Sequence, residues 1–452
     1  MNRRDFIKTV SAATASLMMN KTSTAGTSNE PPAITQQQIL EGINDRIEKY
    51  RKGDAILNLV GPDDKALKPG LTINIEQTNH KFLFGSNIFK LFRCDSPQAN
   101  AAYEKLYAEL LNYATLPFYW ARYESEKGKP DDARTEEIVQ WCKAHNVTPK
   151  GHPLVWNLAD PKWLPEDPLD AMKVQFERAR KCTERFKGKI NIWDVVNEAV
   201  EYDRPHFVEN APKLTAAITK LGVGEYVRRS FKAARKGNPD ATLIINDYRT
   251  EDDYEKKVIS ELVDENKKQM YDVIGIQSHM HVGYWGAEKT WKTCEKFAKF
   301  GKPLHFTELT ILSGKLKEDD DWFSKRPGWL STPEGEERQA EQVAELYRLL
   351  FSHPSVEAIT VWDFTDYDAW QGAPAGYVRT DMTPKPAYER LKALIKGSWW
   401  TKTQATVTPD GQASFRGFYG QYKLTADADG QKLSATFAFD KTIKQPVKVT
   451  LT

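Results

Sequence analysis

Two short stretches of the chain end in the same way. The apolar run from Ile190 to Val196 stops at Asn197-Glu198, and Pro303-Leu304-His305-Phe306-Thr307 stops at Glu308. Runs this short, set off from helical periodicity, read as buried strands. A carboxylate at the end of a buried strand must meet solvent, a partner or a substrate, because burying it alone is costly. Two such carboxylates at one end of a repeating fold could flank a glycosidic bond. One, protonated, would help the leaving oxygen depart, and the other, ionised, would attack the anomeric carbon. Mutual repulsion and different hydrogen-bond partners would split their pKa values.

The ends of the other candidate strands supply polar and aromatic company: His152 and Trp156, Asn246-Asp247-Tyr248, Gln277 and His279, and Trp362. No Cys or Asp cluster joins them. His279 and His281 are two apart on a strand end, so one points in and the other elsewhere. No metal and no cofactor is expected.

These residues need a scaffold that brings strand ends together. Candidate strands fall at 82–87, 112–116, 148–155, 190–196, 242–246, 272–277, 304–307 and 357–362. Helical patterns separate them, among them 101–111, 136–145, 169–186, 226–236, 254–267, 287–300 and 334–351. Eight strands, each followed by a helix, fit a (β/α)8 TIM barrel over 80–396, with its site at the carboxyl ends of the strands. A doubly wound open sheet fits less well, because no glycine-rich phosphate loop follows the first strand. Ahead of the barrel, 38–79 reads as a helix and two strands. Behind it, 397–452 reads as a small antiparallel β unit, with Asp410-Gly411 and Asp429-Gly430 as hairpin turns. The two flanks are expected to pair into one accessory β unit, either packing on the barrel or binding carbohydrate.

Composition narrows the partners. Lys and Arg total 64 against 62 Asp and Glu, so there is no electrostatic footprint of a nucleic-acid binder. The 13 Trp offer flat faces that suit both a large core and sugar rings. Cys94, Cys142, Cys182 and Cys294 lie far apart, without C-x-x-C spacing. Arg3-Arg4-Asp5-Phe6-Ile7-Lys8, followed by a mild apolar run and Ala25, resembles a twin-arginine export signal over 1–25, with a linker over 26–37. No membrane span is expected, and the mature chain reads as an exported periplasmic or extracellular monomer.

Taken together, the motifs resemble glycoside hydrolase family 10, the barrel family of endo-β-1,4-xylanases. Trp193-Asp194-Val195-Val196-Asn197-Glu198-Ala199 is similar to its acid/base motif, and Phe306-Thr307-Glu308-Leu309 to its nucleophile motif. Gly151-His152-Pro153-Leu154-Val155-Trp156, Asn246-Asp247-Tyr248, Ile276-Gln277-Ser278-His279, Trp362, Trp370 and Lys385-Pro386-Ala387-Tyr388 extend the likeness over about 80–396. The resemblance implies a retaining hydrolase of xylan-like polysaccharide or oligosaccharide. Glu198 would be the acid/base, Glu308 the nucleophile and Asn197 a ligand of the sugar 2-hydroxyl. Gln277 would support Glu198, and His279 would orient Glu308. His152, Trp156, Tyr248, Trp362 and Trp370 would contact the sugars.

The chain also departs from the family. The second candidate strand lacks the family's sugar-gripping Glu-Asn pair and runs Thr115-Leu116-Pro117-Phe118-Tyr119-Trp120 instead. Asn157 stands where the family has His, and Thr310 where it has Asp. The catalytic pair is intact while its surroundings are altered. Another β-glycan, or a non-catalytic carbohydrate-binding barrel, are therefore the alternative readings.

Overall fold

The computed structural model describes residues 34–428 and 430–452. The signal-peptide reading and most of the linker fall outside the described residues, as does Asp429. Two strands come first, β1 (Lys52–Val60) and β2 (Thr72–His80). Eight follow: β3 (Leu83–Asn87), β4 (Tyr113–Pro117), β5 (Thr148–His152), β6 (Ile192–Asn197), β7 (Thr242–Asp247), β8 (Val273–Ile276), β9 (Leu304–Leu309) and β10 (Val356–Val361). The last five are β11 (Lys402–Thr406), β12 (Gln412–Phe418), β13 (Gly420–Ala428), β14 (Gln431–Phe439) and β15 (Val447–Thr450).

Strands β3 to β10 form a closed barrel in sequence order, with β10 pairing back onto β3 in parallel. The fold is the (β/α)8 barrel. Its strands are buried along almost their whole length, which is why they read as continuous apolar runs rather than alternating ones. Three of the outer helices start with the same device, a capping oxygen followed by Pro in the first turn. Ser96 accepts from the Ala99 N–H (3.1 Å), Asp167 from Asp170 (3.0 Å) and Thr332 from Gly335 (3.0 Å). Each cap is worth about 1 kcal/mol.

The barrel core explains one glycine in a motif. A Cβ on Gly151 would lie 2.1 Å from the Trp193 ring, which fills the space beside β5 and meets Phe118 at 4.8 Å. Only a residue without a side chain lets that indole pack there.

The flanking segments build two further sheets. One has the order β12-β1-β15 and the other β11-β2-β13-β14, so in each an early strand is paired on both sides with late ones. Ala55, Leu57, Ile73, Ile75, Tyr422 and Leu424 belong to the core between them. His80 at the end of β2 joins this unit to the barrel: its Nε2 meets the Ile395 carbonyl (3.0 Å) and its Nδ1 the Gln77 amide (3.1 Å).

Three expectations differ from the structure. Asp410-Gly411 does not close a hairpin: β11 pairs with β2 and β12 with β1, so this turn carries the chain from one sheet to the other. The helix read over 254–267 ends early, in a short helical segment closing at Ile259. Asp264 Oδ1 accepts from the N–H groups of Asn266 (2.8 Å) and Lys268 (2.9 Å), a local turn that competes with helix. The helix read over 38–51 is two helices, Gln36–Glu41 and Ile43–Arg51, separated at Gly42.

Candidate active site

Glu198 follows β6 directly. Its φ of 54° is unusual for a residue with a side chain. The neighbouring backbone holds it there: the Glu198 N–H donates to the Asn246 carbonyl (3.0 Å), and the Val200 N–H to Asp247 Oδ2 (3.2 Å). Glu308 lies inside β9, where its N–H donates to the Gln277 carbonyl (3.1 Å). Both carboxylates are nearly enclosed, at 8% and 4% exposure.

A chain of side-chain amides joins the two. Gln277 Nε2 donates to Glu198 Oε1 (3.1 Å) and approaches Asn197 Oδ1 (3.2 Å). Asn246 Nδ2 donates to Asn197 Oδ1 (2.7 Å) and reaches Glu308 Oε1 (2.8 Å). Thr307 Oγ1 fixes the orientation of Asn246 by donating to its Oδ1 (2.6 Å). Asn197, Asn246, Thr307 and Glu308 lie within β6, β7 and β9, and Glu198 and Gln277 lie one residue beyond β6 and β8.

The environments of the two carboxylates are opposite. Burial pushes the Glu198 pKa up, and the Glu308 charge adds to that. The Arg204 guanidinium and the Gln277 amide pull the other way without overcoming it. Burial also acts on Glu308, but there it is outweighed by His152 and by His279, which hold that carboxyl below its ordinary value. His279 Nε2 stands 3.3 Å from Glu308 Oε2, and His152 Nε2 stands 3.9 Å from Oε1. Behind His152, Asp194 Oδ2 meets its Nδ1 (2.8 Å) and the buried Lys150 ammonium (2.7 Å). The site therefore holds one carboxyl that favours its proton and one that favours its charge.

Aromatic rings surround the pair. Trp362 lies 5.4 Å from His152 and 6.1 Å from His279. Trp370 packs on His279 at 4.8 Å. Trp156 faces Tyr119 at 6.0 Å and Phe207 at 5.8 Å. Tyr248 meets the pair through Arg204. Its hydroxyl donates to Glu201, and the Arg204 guanidinium lies 4.9 Å from its ring centre while pairing with Glu198 Oε2. Lys385 braces this face from behind: its buried ammonium pairs with Asp366 (2.6 Å) on the loop after β10 and donates to Ser313 Oγ (2.9 Å) on the loop after β9.

Several groups around the site escaped the sequence reading. Arg204 lies in an irregular loop six residues beyond Glu198, and nothing in its spacing marks it. Tyr119 lies in the stretch that lacks the Glu-Asn pair. Its ring lies 5.7 Å from that of His152, and burial with the charges of Glu308 and Glu198 pushes its phenol upward. Of the other two departures named from sequence, Asn157 is tied into the β6 side by donating to Thr215 Oγ1 (2.8 Å) and the Tyr202 carbonyl (2.8 Å). Thr310 Oγ1 meets His279 Nδ1 at 3.0 Å. Among the described residues, no group of three or more His, Cys, Asp and Glu is placed to hold a metal ion, and no helix is long and apolar enough to cross a membrane. All four cysteines are unpaired.

The sequence model described as Glycosyl hydrolase family 10 matches residues 93–394. Among curated relatives, the anti-sigma-I factor RsgI6 of Acetivibrio thermocellus is 26% identical over 405 residues, covering 87% of this chain and 47% of that protein. Endo-1,4-beta-xylanase A of Caldicellulosiruptor sp. (strain Rt8B.4) is 29% identical over 291 residues, covering 61% of this chain and 39% of that one. The chain thus spans less than half the length of these two relatives. Among solved structures, xylanase 10B from Thermotoga petrophila RKU-1 in complex with xylobiose aligns with a TM-score of 0.57 at 24% identity, covering 70% of this chain and 95% of that one. At that identity the likeness speaks for the fold.

Proposed function

This chain belongs to glycosyl hydrolase family 10, and from that premise we propose that it is a retaining glycosidase cleaving β-1,4-xylosidic bonds by two displacements. Glu198 is the acid/base and Glu308 the nucleophile. In the first step a Glu308 oxygen bonds to the anomeric carbon while Glu198 gives its proton to the departing oxygen. In the second, Glu198 takes a proton from water, which displaces Glu308 from the sugar. Asn197 is the ligand of the sugar 2-hydroxyl in this reading, and Trp362 and Trp370 cover the apolar face of the ring. The twin-arginine-type segment supports export of the chain.

The observation that carries this reading is the asymmetry of the pair. Two carboxylates joined by one amide chain have pKa values displaced in opposite directions, as an acid and a nucleophile require. The altered surroundings favour a second reading of the substrate, another β-glycan or a decorated oligosaccharide, with the same chemistry. The test is hydrolysis of a xylan and glucan panel by the wild type, Glu308→Ala and Glu198→Ala. Glu308→Ala is expected to be inactive on every substrate. Glu198→Ala is expected to lose activity on sugar leaving groups while keeping much of its first-step rate on a dinitrophenyl glycoside, which needs no proton. Activity of Glu308→Ala equal to wild type would overturn the assignment, and cleavage confined to another β-glycan would correct the substrate alone.

A further inference from the structure

Glu198 gives its proton to the leaving sugar, so that sugar lies on the β6 side of the mouth, near Arg204. On that reading the retained sugar lies opposite, beside Glu308, where Tyr119 (5.7 Å) and Trp362 (5.4 Å) beyond the ends of β4 and β10 pack on His152. In an enzyme that cuts within a chain, this side must continue as a groove for the next sugar. Here it is lined ring to ring. Trp156 meets Tyr119 at 6.0 Å, Tyr119 meets Phe89 at 5.9 Å, and Phe89 meets Trp362 at 5.6 Å. Both Phe89 contacts are edge-to-face, at 87° and 85°. A ring in contact with both neighbours leaves no slot for a pyranose between them.

The Glu-Asn pair is absent from the same place, where the chain runs Phe118-Tyr119. Phe118 turns into the core against Trp193 at 4.8 Å, and Tyr119 takes the rim. The loops behind the wall are laced together. Lys90 and Lys325 both pair with Asp368, the Tyr367 hydroxyl donates to Asp95, and Asp363 Oδ2 accepts from the Trp370 N–H (3.0 Å). These ties join the loop after β3, which carries Phe89, to the loop after β10, and that loop to the one after β9.

We propose that the aromatic wall centred on Phe89 ends the glycone side after one sugar, so that the enzyme removes single xylose units from the non-reducing ends of β-1,4-linked chains. This deepens the glycosidase reading above and rests on it. Phe89 is then the residue that sets where a chain is cut, and it lies outside the catalytic pair and the amide chain.

The test uses the full chain and two trapping reagents, the dinitrophenyl 2-deoxy-2-fluoro-β-glycosides of xylose and of xylobiose. With either reagent a Glu308 oxygen bonds to the anomeric carbon, and the bond from that carbon to the phenolate oxygen breaks. Dinitrophenolate leaves with the electron pair. Mass spectrometry then reads the added sugar on Glu308. We expect the wild type to be labelled at least about tenfold faster by the xylosyl than by the xylobiosyl reagent, the scale on which a crowded pocket discriminates. Phe89→Ala should narrow or reverse that ratio and release xylobiose from reducing-end-labelled xylohexaose, where the wild type releases xylose. Phe89→Leu, which keeps apolar fill with a shorter reach, should fall between, and melting temperatures check that both variants fold. Equal or faster labelling of the wild type by the xylobiosyl reagent overturns the closed wall and leaves the glycosidase reading standing. Labelling of Glu308 by neither reagent overturns both.

Discussion

Arg204 places a cation on Glu198, the carboxyl proposed as the acid, and that contact has a calculable consequence. The guanidinium pairs with Glu198 Oε2, with side-chain exposures of 24% and 11%. Opposite charges about 4 Å apart at an effective dielectric near 20 interact by about 4 kcal/mol. Water reaching the guanidinium through its exposed quarter screens part of this, leaving about 2 kcal/mol that favours the ionised carboxyl. Arg204 stabilises the ionised form of Glu198, so removing it raises the Glu198 pKa. On the proposed mechanism Glu198 must be protonated for the first displacement, so the basic limb of the kcat/KM profile moves to higher pH in the variant. The acid limb follows Glu308, which His152 and His279 control, and should stay in place. Arg204→Met is the suitable variant, because its stem keeps packing against Phe207 and Tyr248, which the guanidinium now approaches at 4.4 and 4.9 Å. The assay is kcat/KM against pH on an unactivated oligosaccharide, beside a dinitrophenyl glycoside whose departure needs no acid. A basic limb that stays fixed or moves downward on the oligosaccharide would refute the reasoning.

Two further outcomes follow from buried groups. Asp194→Asn leaves the Lys150 ammonium without its counter-ion in the barrel interior and should destabilise the fold by about 3–5 kcal/mol in denaturant unfolding; adding Lys150→Met should recover much of that loss, since no uncompensated charge then remains. His80 is held neutral by burial, its pKa lowered from 6.5 to about 3. Between those values the unfolded chain binds a proton that the native state excludes, so stability is fully present above about pH 6.5 and falls as pH drops toward about 3. Chemical denaturation across that window should show a shallower decline in His80→Phe than in the wild type.

The barrel was legible because its strands are buried on both sides and its helices alternate with them in a regular order. Asn197, Glu198, Gln277, His279 and Glu308 were legible because each ends an apolar run, and only strand ends put such residues on one rim. What escaped the sequence has a common physical cause. Arg204, Phe89 and Tyr119 stand on irregular segments, where no period ties a residue to a face. The pairing of β1 with β12 and of β2 with β11 and β13 escaped in detail for a related reason. Alternation marks a strand but not its partner, so Asp410-Gly411 looked like a hairpin when it is a passage between sheets.

This division has a consequence for how the protein can change. The amides that join the two carboxyls sit on barrel strands or one residue beyond their ends, where one substitution disturbs several bonds at once: Asn246 alone serves Asn197, Glu308 and Thr307. The groups that decide how much sugar fits sit on loops, held by ion pairs that can be exchanged without disturbing the strands. Lys90–Asp368 and Lys325–Asp368 are such pairs, and partly exposed bridges of this kind contribute little to global stability. Loss of the Glu-Asn pair on the β4 rim therefore need not weaken the chemistry, because no bond of the amide chain passes through that rim. On the proposed reading, the strands that hold Glu198 and Glu308 in place leave the loops free to vary, and Phe89 lies on one of those loops.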